Sequence, residues 1–389
     1  MKFNKLFISS LIIGQALTMF SCKPTKDEPE PLIKKPLEVA AVYDSTNFAA
    51  NTKVEAAILA QLASLTSEAK KGRATGIAVT KVNLENIYNG GTPSLASVAN
   101  PYYKNLLEGE NGFINQLAKS SGGSYIPSEV IIGEGGVYGT GTSAYLFDEN
   151  GLEMEQMVEK GLFGAVCFKH LNDLTNGEIT LVTVDRMLAI YGAHPAFSNS
   201  GSTNVKEVNK RDKALANYAA RRDDNNGSGL YIQIKNQFLK LQAAVKAGKD
   251  YNDEKNAAIA EIKLLIEKVN FATVINYCFA VKATMSKTSP TNDEKAASLH
   301  AYGECVGFVH GWKGLPTTSK RITDAQIDEI LVLLNAEAGK TPTSYKFITN
   351  PFEEIKKLDT IIAKLKTIYG FTDAEAEYFK MNWVSEKKR

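Results

Sequence analysis

His300 and Glu304 are the residues of this 389-residue chain whose types and spacing best fit a chemical site. They lie four apart in the run SLHAYGECVGFVHGW, residues 298–312, so on a helix they occupy one face. An imidazole and a carboxylate on successive turns can hold a metal ion, contact another ligand, or work as a base and an acid. The alternative is a buried histidine whose ring N–H is satisfied by the glutamate.

The same run carries glycines at helical spacing, Gly303, Gly307 and Gly311. A glycine inside a helix costs about 1 kcal/mol relative to alanine. Three of them on one face therefore predict that another backbone packs closely there. The polar pair is expected to lie beside this helix contact.

Other motifs give weaker signals. Cys167 and His170 are three apart, which suits a metal, but one pair is an incomplete ligand set. The run GEGGVYGTG, residues 133–141, resembles a nucleotide-binding loop, which works only between a strand and a helix of a βαβ unit, and its flanks here are polar. We therefore assign no cofactor-binding residue and, without an HExxH or GxSxG motif, no catalytic residue.

Helical periodicity dominates the chain from Glu153 onward and predicts a mainly α fold. The clearest stripe predicts a helix over 252–285, and capping-box spacing marks helix starts at Thr323 and Thr372. Asn350 before Pro351 predicts a further N-cap. The apolar residues of 71–101 show no clear helical or strand periodicity. The glycine-rich stretch 120–148 is expected to be irregular, with short strands near 130–132 and 143–147.

The N-terminus has the pattern of a bacterial lipoprotein signal. Lysines at positions 2 and 5 precede an apolar run over 6–20, and Ser21-Cys22 follows. We expect 1–22 to be the signal peptide, Cys22 to be lipidated, and 23–40 to be a flexible tether. The alternative is a secreted protein with a coincidental cysteine. Residues 26–28, Lys-Asp-Glu, fit a surface-export signal and equally an ordinary linker.

Composition narrows the class of protein. The formal net charge is +2 with 23% charged residues, so the sequence lacks the excess of positive charge that is typical of nucleic-acid-binding proteins. No stretch after the signal has the roughly 20 consecutive apolar residues of a membrane span. The body is therefore expected to meet the outer membrane through its lipid, on the cell surface or the periplasmic face. Of the other cysteines, Cys278 and Cys305 are the better candidates for a disulfide, and buried thiols explain all three more simply.

Several segments, in order along the chain, resemble a family of bacterial lipoproteins built on a domain of unknown function and related to the imelysin-like, peptidase-related helical proteins. The resemblance covers most of 41–389 and implies two packed helical bundles with irregular glycine-rich loops, with sub-bundles of about 41–225 and 226–389. The matching segments are 43–62, EMEQMVEKGLFGA at 153–165, VDRMLAIYG at 184–192, 260–280, HAYGE at 300–304 and 322–330.

Imelysin proteins carry a GxHxxE motif, and some are linked to iron uptake or to peptidase activity. Here Ser298 takes the glycine position, Gly303 takes the glutamate position, and Glu304 comes one residue late. The resemblance thus implies a non-enzymatic envelope binding protein, with His300 and Glu304 as candidate ligands for iron, another divalent metal or haem, and an envelope protein or uptake receptor as partner. The alternatives are an imelysin-type metallopeptidase and a purely structural or interaction lipoprotein.

Overall fold

The longest helix of the computed structural model spans Asn252–Met285 and packs against helices on several sides. The structure describes residues 34–128, 130–131, 133–198 and 210–389. The predicted signal peptide, Cys22 and most of the predicted tether lie outside these residues. Within them, Leu37–Arg389 form one compact unit.

The described chain is mainly helical, as predicted. Its helices, numbered in chain order, are α1 Phe48–Asn51, α2 Lys53–Lys70, α3 Lys81–Asn89, α4 Leu95–Val98, α5 Pro101–Leu107, α6 Phe113–Ser120, α7 Met154–Leu162, α8 Lys169–Asp173, α9 Leu181–Tyr191, α10 Ala214–Arg221, α11 Leu230–Ala247, α12 Asn252–Met285, α13 Asn292–His310, α14 Asp324–Leu333, α15 Lys346–Thr349, α16 Pro351–Tyr369, α17 Asp373–Tyr378 and α18 Trp383–Glu386. A π-helical segment, Phe163–Phe168, joins α7 to α8.

Helices α12, α13 and α7 form the central packing. α12 contacts α11, α13 and α16, and α13 in turn contacts α7. The α7–α13 contact confirms the glycine prediction: a Cβ added to Gly311 would lie 2.2 Å from the backbone oxygen of Gly161, and one added to Gly303 would lie 3.1 Å from the Cβ of Glu153. Glycine is required at Gly307 and at Gly311, the C-cap of α13, because the two backbones approach too closely there for a side chain.

Helix α12 also meets the length and composition of a membrane-spanning helix, contrary to the sequence expectation that no stretch after the signal would. However, 67% of its most apolar 18-residue segment is buried inside the protein, and buried core helices share this length and composition. Its apolar residues, such as Ile262, Ile266 and Val269, contribute to the hydrophobic core.

The glycine-rich stretch folds into a small antiparallel hairpin, β1 Gly136–Tyr138 and β2 Tyr145–Phe147. Gly136 pairs with Phe147, and Tyr138 pairs with Tyr145. The second predicted strand is thus present, but its partner is β1 and not the segment near residue 130, where 130 and 131 are not in a strand. The nucleotide-loop motif lies across this hairpin, without a following α-helix.

Candidate binding site

Helix α13 places His300 against the hairpin. The helix begins with a capping box between Thr291 and Glu294, which fixes its start. The His300 ring stacks on the Tyr145 ring of β2, with centroids 4.0 Å apart and planes within 11°. Arg73, which follows α2, lies with its Cζ 4.7 Å from the centre of the same tyrosine ring. The imidazole is therefore held in one orientation.

Glu153, just before α7, is the nearest charged partner of His300. Its Oε2 lies 2.6 Å from His300 Nδ1, and its Oε1 lies 3.1 Å from Arg73 Nη2. Burial acts to lower the pKa of His300, but the charge and hydrogen bond of Glu153, together with the charge of Glu304, outweigh it and raise this pKa above its ordinary value. The histidine thus favours its charged form.

Glu304 lies on the other side of the imidazole. Its Oε2 is 3.7 Å from His300 Nε2, which confirms that the pair shares a helix face but is too long for a hydrogen bond. Its Oε1 lies 3.2 Å from Lys160 Nζ and accepts a hydrogen bond of 3.3 Å from the Tyr218 hydroxyl. Burial would raise the pKa of Glu304, but Lys160 and His300 hold it at about 2.

A second acid of α7, Glu155, completes the buried charge network. Arg73 donates to both of its oxygens, each at 2.7 Å, in a bidentate pair. Burial and the neighbouring charge of Glu153 raise the pKa of Glu155 to about 7, and Arg73 opposes that rise. The network thus joins α7, α13 and the chain after α2 through charges removed from solvent.

A cavity of about 450 Å³ opens beside this network. We call it the charged cavity, since most of the side chains around it are charged or polar: Lys70, Arg73, Gln156, Glu159, Lys160, Asn217, Tyr218, Arg221, His300 and Glu304. Its volume lies within the range of small-molecule sites.

Three buried side-chain oxygens of the charged cavity have no hydrogen-bond partner, Gln156 Oε1, Asn217 Oδ1 and Glu159 Oε2. Glu159 Oε2 lies 2.9 Å from Lys160 Nζ in an ion pair, so the two amide oxygens are the ones without any partner. The Gln156 amide is oriented by its nitrogen, which donates to Glu153 at 3.3 Å and to Glu155 at 3.4 Å. Its oxygen therefore remains an acceptor. A buried acceptor without a donor costs about 1–3 kcal/mol, so a ligand that brings an N–H or O–H would be stabilised here.

Arg221 differs from the other cations around the charged cavity. Lys70, Arg73 and Lys160 each lie within 4.0 Å of a glutamate oxygen. Arg221 makes no ion pair with any residue that the structure describes, and its Cζ lies 4.7 Å from the centre of the Tyr218 ring. The cavity thus contains a guanidinium available to an anionic group.

The donor set around His300 does not fit a metal ion. Across the described ranges there is no group of three or more histidine, cysteine, aspartate or glutamate side chains that could hold one. Glu153 is hydrogen-bonded to Arg73, and Glu304 is paired with Lys160. These cations already supply the positive charge that a metal would bring.

The remaining sequence candidates lie apart from the charged cavity. His170 pairs with Glu55, its Nε2 2.8 Å from Oε1. Cys167 is fully buried, which raises the pKa of its thiol to about 12. Cys278 and Cys305 are both free and buried, with sulfurs 4.0 Å apart, too far for a disulfide bond of about 2.05 Å.

Sequence reasoning identified two residues of the network and missed their partners. Arg73 and Tyr218 come from segments with no spacing relation to α13. Glu153, Glu155 and Lys160 are buried in the fold, although they lie outside the apolar stripe of Met154, Met157, Val158 and Leu162. The periodicity of α7 therefore predicts these three charges to be exposed and gives no signal of the network.

Comparisons of this chain with known protein families, with curated proteins and with solved structures found no match.

Proposed function

We propose that this chain is a lipid-anchored binding protein of the cell envelope, without enzymatic activity, and that its ligand is a small zwitterion of about amino-acid size. The observation that carries the proposal is Arg221, the cation of the charged cavity that has no ion pair among the described residues. An anionic group on the ligand would pair with its guanidinium, for which a carboxylate has the matching bidentate geometry.

The second half of the ligand is inferred from the unpartnered acceptors. Gln156 Oε1 and Asn217 Oδ1 each need a donor. An ammonium group supplies three N–H donors for these oxygens. Its positive charge is also compatible with the carboxylates that line the cavity. A ligand with both groups leaves the charge balance of the cavity unchanged, which limits the desolvation cost of binding.

The envelope location rests on the N-terminal sequence, with Cys22 as the proposed lipidation site. A tethered binding protein would hold its ligand near the outer membrane and pass it to an envelope protein or uptake receptor. The metal or haem version of the proposal rests on His300 and Glu304, and the ion pairs of Glu304 and Glu153 argue against it. The same pairs argue against an imelysin-type metallopeptidase.

A structural role is the second candidate, and one observation favours it. Glu153 and Lys160 of the α7 segment contact His300 and Glu304 of α13, so the network ties two central helices in register. In that case the polar pair would stabilise the fold and bind nothing.

Thermal unfolding of the full chain with each of the twenty common amino acids would test the proposal. For an amino acid that binds, the matching amine and the matching carboxylic acid are measured beside it. At 100-fold excess over Kd a ligand stabilises the native state by about 2.7 kcal/mol, so the midpoint is expected to rise. Both single-charge analogues are expected to give smaller shifts.

Arg221→Gln should abolish this stabilisation, whereas the control Lys53→Gln, which removes a charge from an exposed site on α2, should preserve it. Equal stabilisation of wild type and Arg221→Gln would contradict the proposal. Stabilisation by iron, zinc or haem that His300→Ala removes would support the metal version. No shift with any probe would favour the structural role.

A further inference from the structure

We infer that a second site, a basic cleft beside the first half of α12, binds a phosphate-bearing anion. The cleft has a volume of about 610 Å³ and shares no lining residue with the charged cavity. It lies between α12, the chain after α8 and the loop before α14. We call it the basic cleft because Lys255, Lys263, Lys320 and Arg321 all line it.

Lys263 is the central group of the basic cleft. Its Nζ donates to Asn172 Oδ1 and to Thr175 Oγ1, both at 2.8 Å, and both acceptors are neutral. It makes no ion pair within the described ranges. Burial lowers the pKa of this ammonium, and Asp173 only partly opposes the effect. An anion in the cleft would supply the missing charge and accept the third N–H.

Arg321 is held at the edge of the cleft by its backbone. Its N–H and that of Ile322 donate to Glu267 at 2.7 and 2.8 Å, and the Tyr369 hydroxyl donates to the same carboxylate at 2.7 Å. Glu267 is thus engaged as a loop anchor. The Arg321 side chain is exposed and makes no ion pair with a described residue, so its guanidinium is available to a ligand.

The remaining charges leave the cleft positive. Lys255 donates to Asn252 at 2.8 Å, again a neutral acceptor. Lys320 is used internally, since it donates to Trp312 O at 2.8 Å and pairs with Asp324. Of the acids that line the cleft, Glu267 is engaged as described and Glu178 is exposed.

Phosphate chemistry fits this arrangement better than a single carboxylate does. Lys255 and Lys263 are eight residues apart on one helix face, about 12 Å along the axis, and Arg321 approaches from the facing loop. A phosphate carries its charge on several oxygens, which can accept from lysine and from a bidentate guanidinium at once. Soluble phosphate compounds and phospholipid headgroups share this chemistry.

The test is binding of three probes by the full chain: inorganic phosphate, pyrophosphate, and vesicles of phosphatidylglycerol in phosphatidylcholine. Pure phosphatidylcholine vesicles are the reference for the last, so that attachment through the N-terminal lipid cancels. Calorimetry measures the soluble probes, and co-sedimentation measures the vesicles. We expect at least one probe to bind at moderate ionic strength.

Lys263→Gln and Arg321→Gln should each weaken that binding by about tenfold, the value of one charge-assisted hydrogen bond. Arg321→Gln keeps the backbone N–H that anchors Glu267, so the loop should stay folded. The control Lys53→Gln removes the same charge elsewhere and should bind normally.

Variant-sensitive binding of a soluble probe identifies a soluble phosphate compound as the ligand, and variant-sensitive binding of vesicles alone identifies a lipid headgroup. Absence of binding by all three probes, or binding that both variants retain in full, overturns the inference.

Discussion

Gly307 of α13 lies against the backbone of Gln156 on α7, so closely that an added Cβ would be 2.4 Å from the Gln156 carbonyl oxygen. The helix contact and the charged cavity therefore share a residue, since Gln156 also lines the cavity. The close approach brings the charged side chains of α7 within reach of His300 and Glu304.

Gly307→Ala should destabilise the protein by about 1–3 kcal/mol, the usual cost of overpacking a core, because a backbone oxygen cannot move aside as a flexible side chain can. Urea unfolding measures this change. Gly177→Ala is the matched control, since nothing lies within 4 Å of its added Cβ. Equal stability of Gly307→Ala and wild type would mean that the helices are farther apart than described.

Glu153→Gln should lower the pKa of His300, because the Glu153 charge and hydrogen bond raise it in the wild type. Because the pKa of His300 is raised in the folded state, protonation of His300 stabilises the protein below pH 6.5, its ordinary pKa. This contribution disappears as the pH rises through the folded-state pKa. The variant should lose this contribution. NMR titration of the imidazole C–H signals measures the pKa, with Glu85→Gln as a surface control. An unchanged His300 pKa would refute the contact.

Glu304→Gln should reduce the fall in the free energy of unfolding that occurs when the pH is lowered below about 4.5. Glu304 has a pKa of about 2, below its ordinary 4.5, so its contribution is present above pH 4.5 and disappears as pH falls towards 2. At neutral pH the variant should lose about 1.5–3 kcal/mol, the value of a hydrogen bond to a charged group. Urea unfolding from pH 2 to 7 measures both effects, beside exposed Glu386→Gln. A free energy of unfolding that falls as steeply in acid as that of the wild type would contradict the lowered pKa of Glu304.

Thr323→Ala should cost about 1 kcal/mol, because it removes the side-chain half of a capping box with Gln326. Asn350→Ala should cost much less, since Asn350 makes no side-chain cap bond at the start of α16. Thermal or urea unfolding of the two variants compares these helix starts directly. Equal losses would mean that Asn350 caps after all.

Local patterns predicted the helices best. The stripe over 252–285 gives both ends of α12 correctly, and the boxes at Thr323 and Thr372 are confirmed. These signals depend on residues within one turn of each other. Asn350 stands at the N-cap of α16 with Pro351 in the first turn, as predicted, but its side chain makes no cap hydrogen bond, and its backbone has φ −136° and ψ 54°. Helix α3 was missed because it is only nine residues long and buries only two apolar side chains, Leu84 and Tyr88.

The candidate site was predictable only in part, for a related reason. His300 and Glu304 share a face by helix geometry alone, which is local. Their partners are not local: Glu153 lies 147 residues from His300 in sequence, and Tyr218 lies 86 residues from Glu304. A single sequence without such long-range information identifies the pair but not the charges that surround it.

These separations also have a consequence for biosynthesis. A chain made from its N-terminus presents Arg73 and the acids of α7 well before residue 300 emerges. Until then Glu153 lacks its hydrogen bond to His300 and Lys160 lacks its ion pair with Glu304, so the earlier segment carries charges without these partners on a face that the finished fold buries. The arrival of α13 covers these charges and supplies their partners, so α7 reaches its native packing only after residues from the last third of the chain have been made.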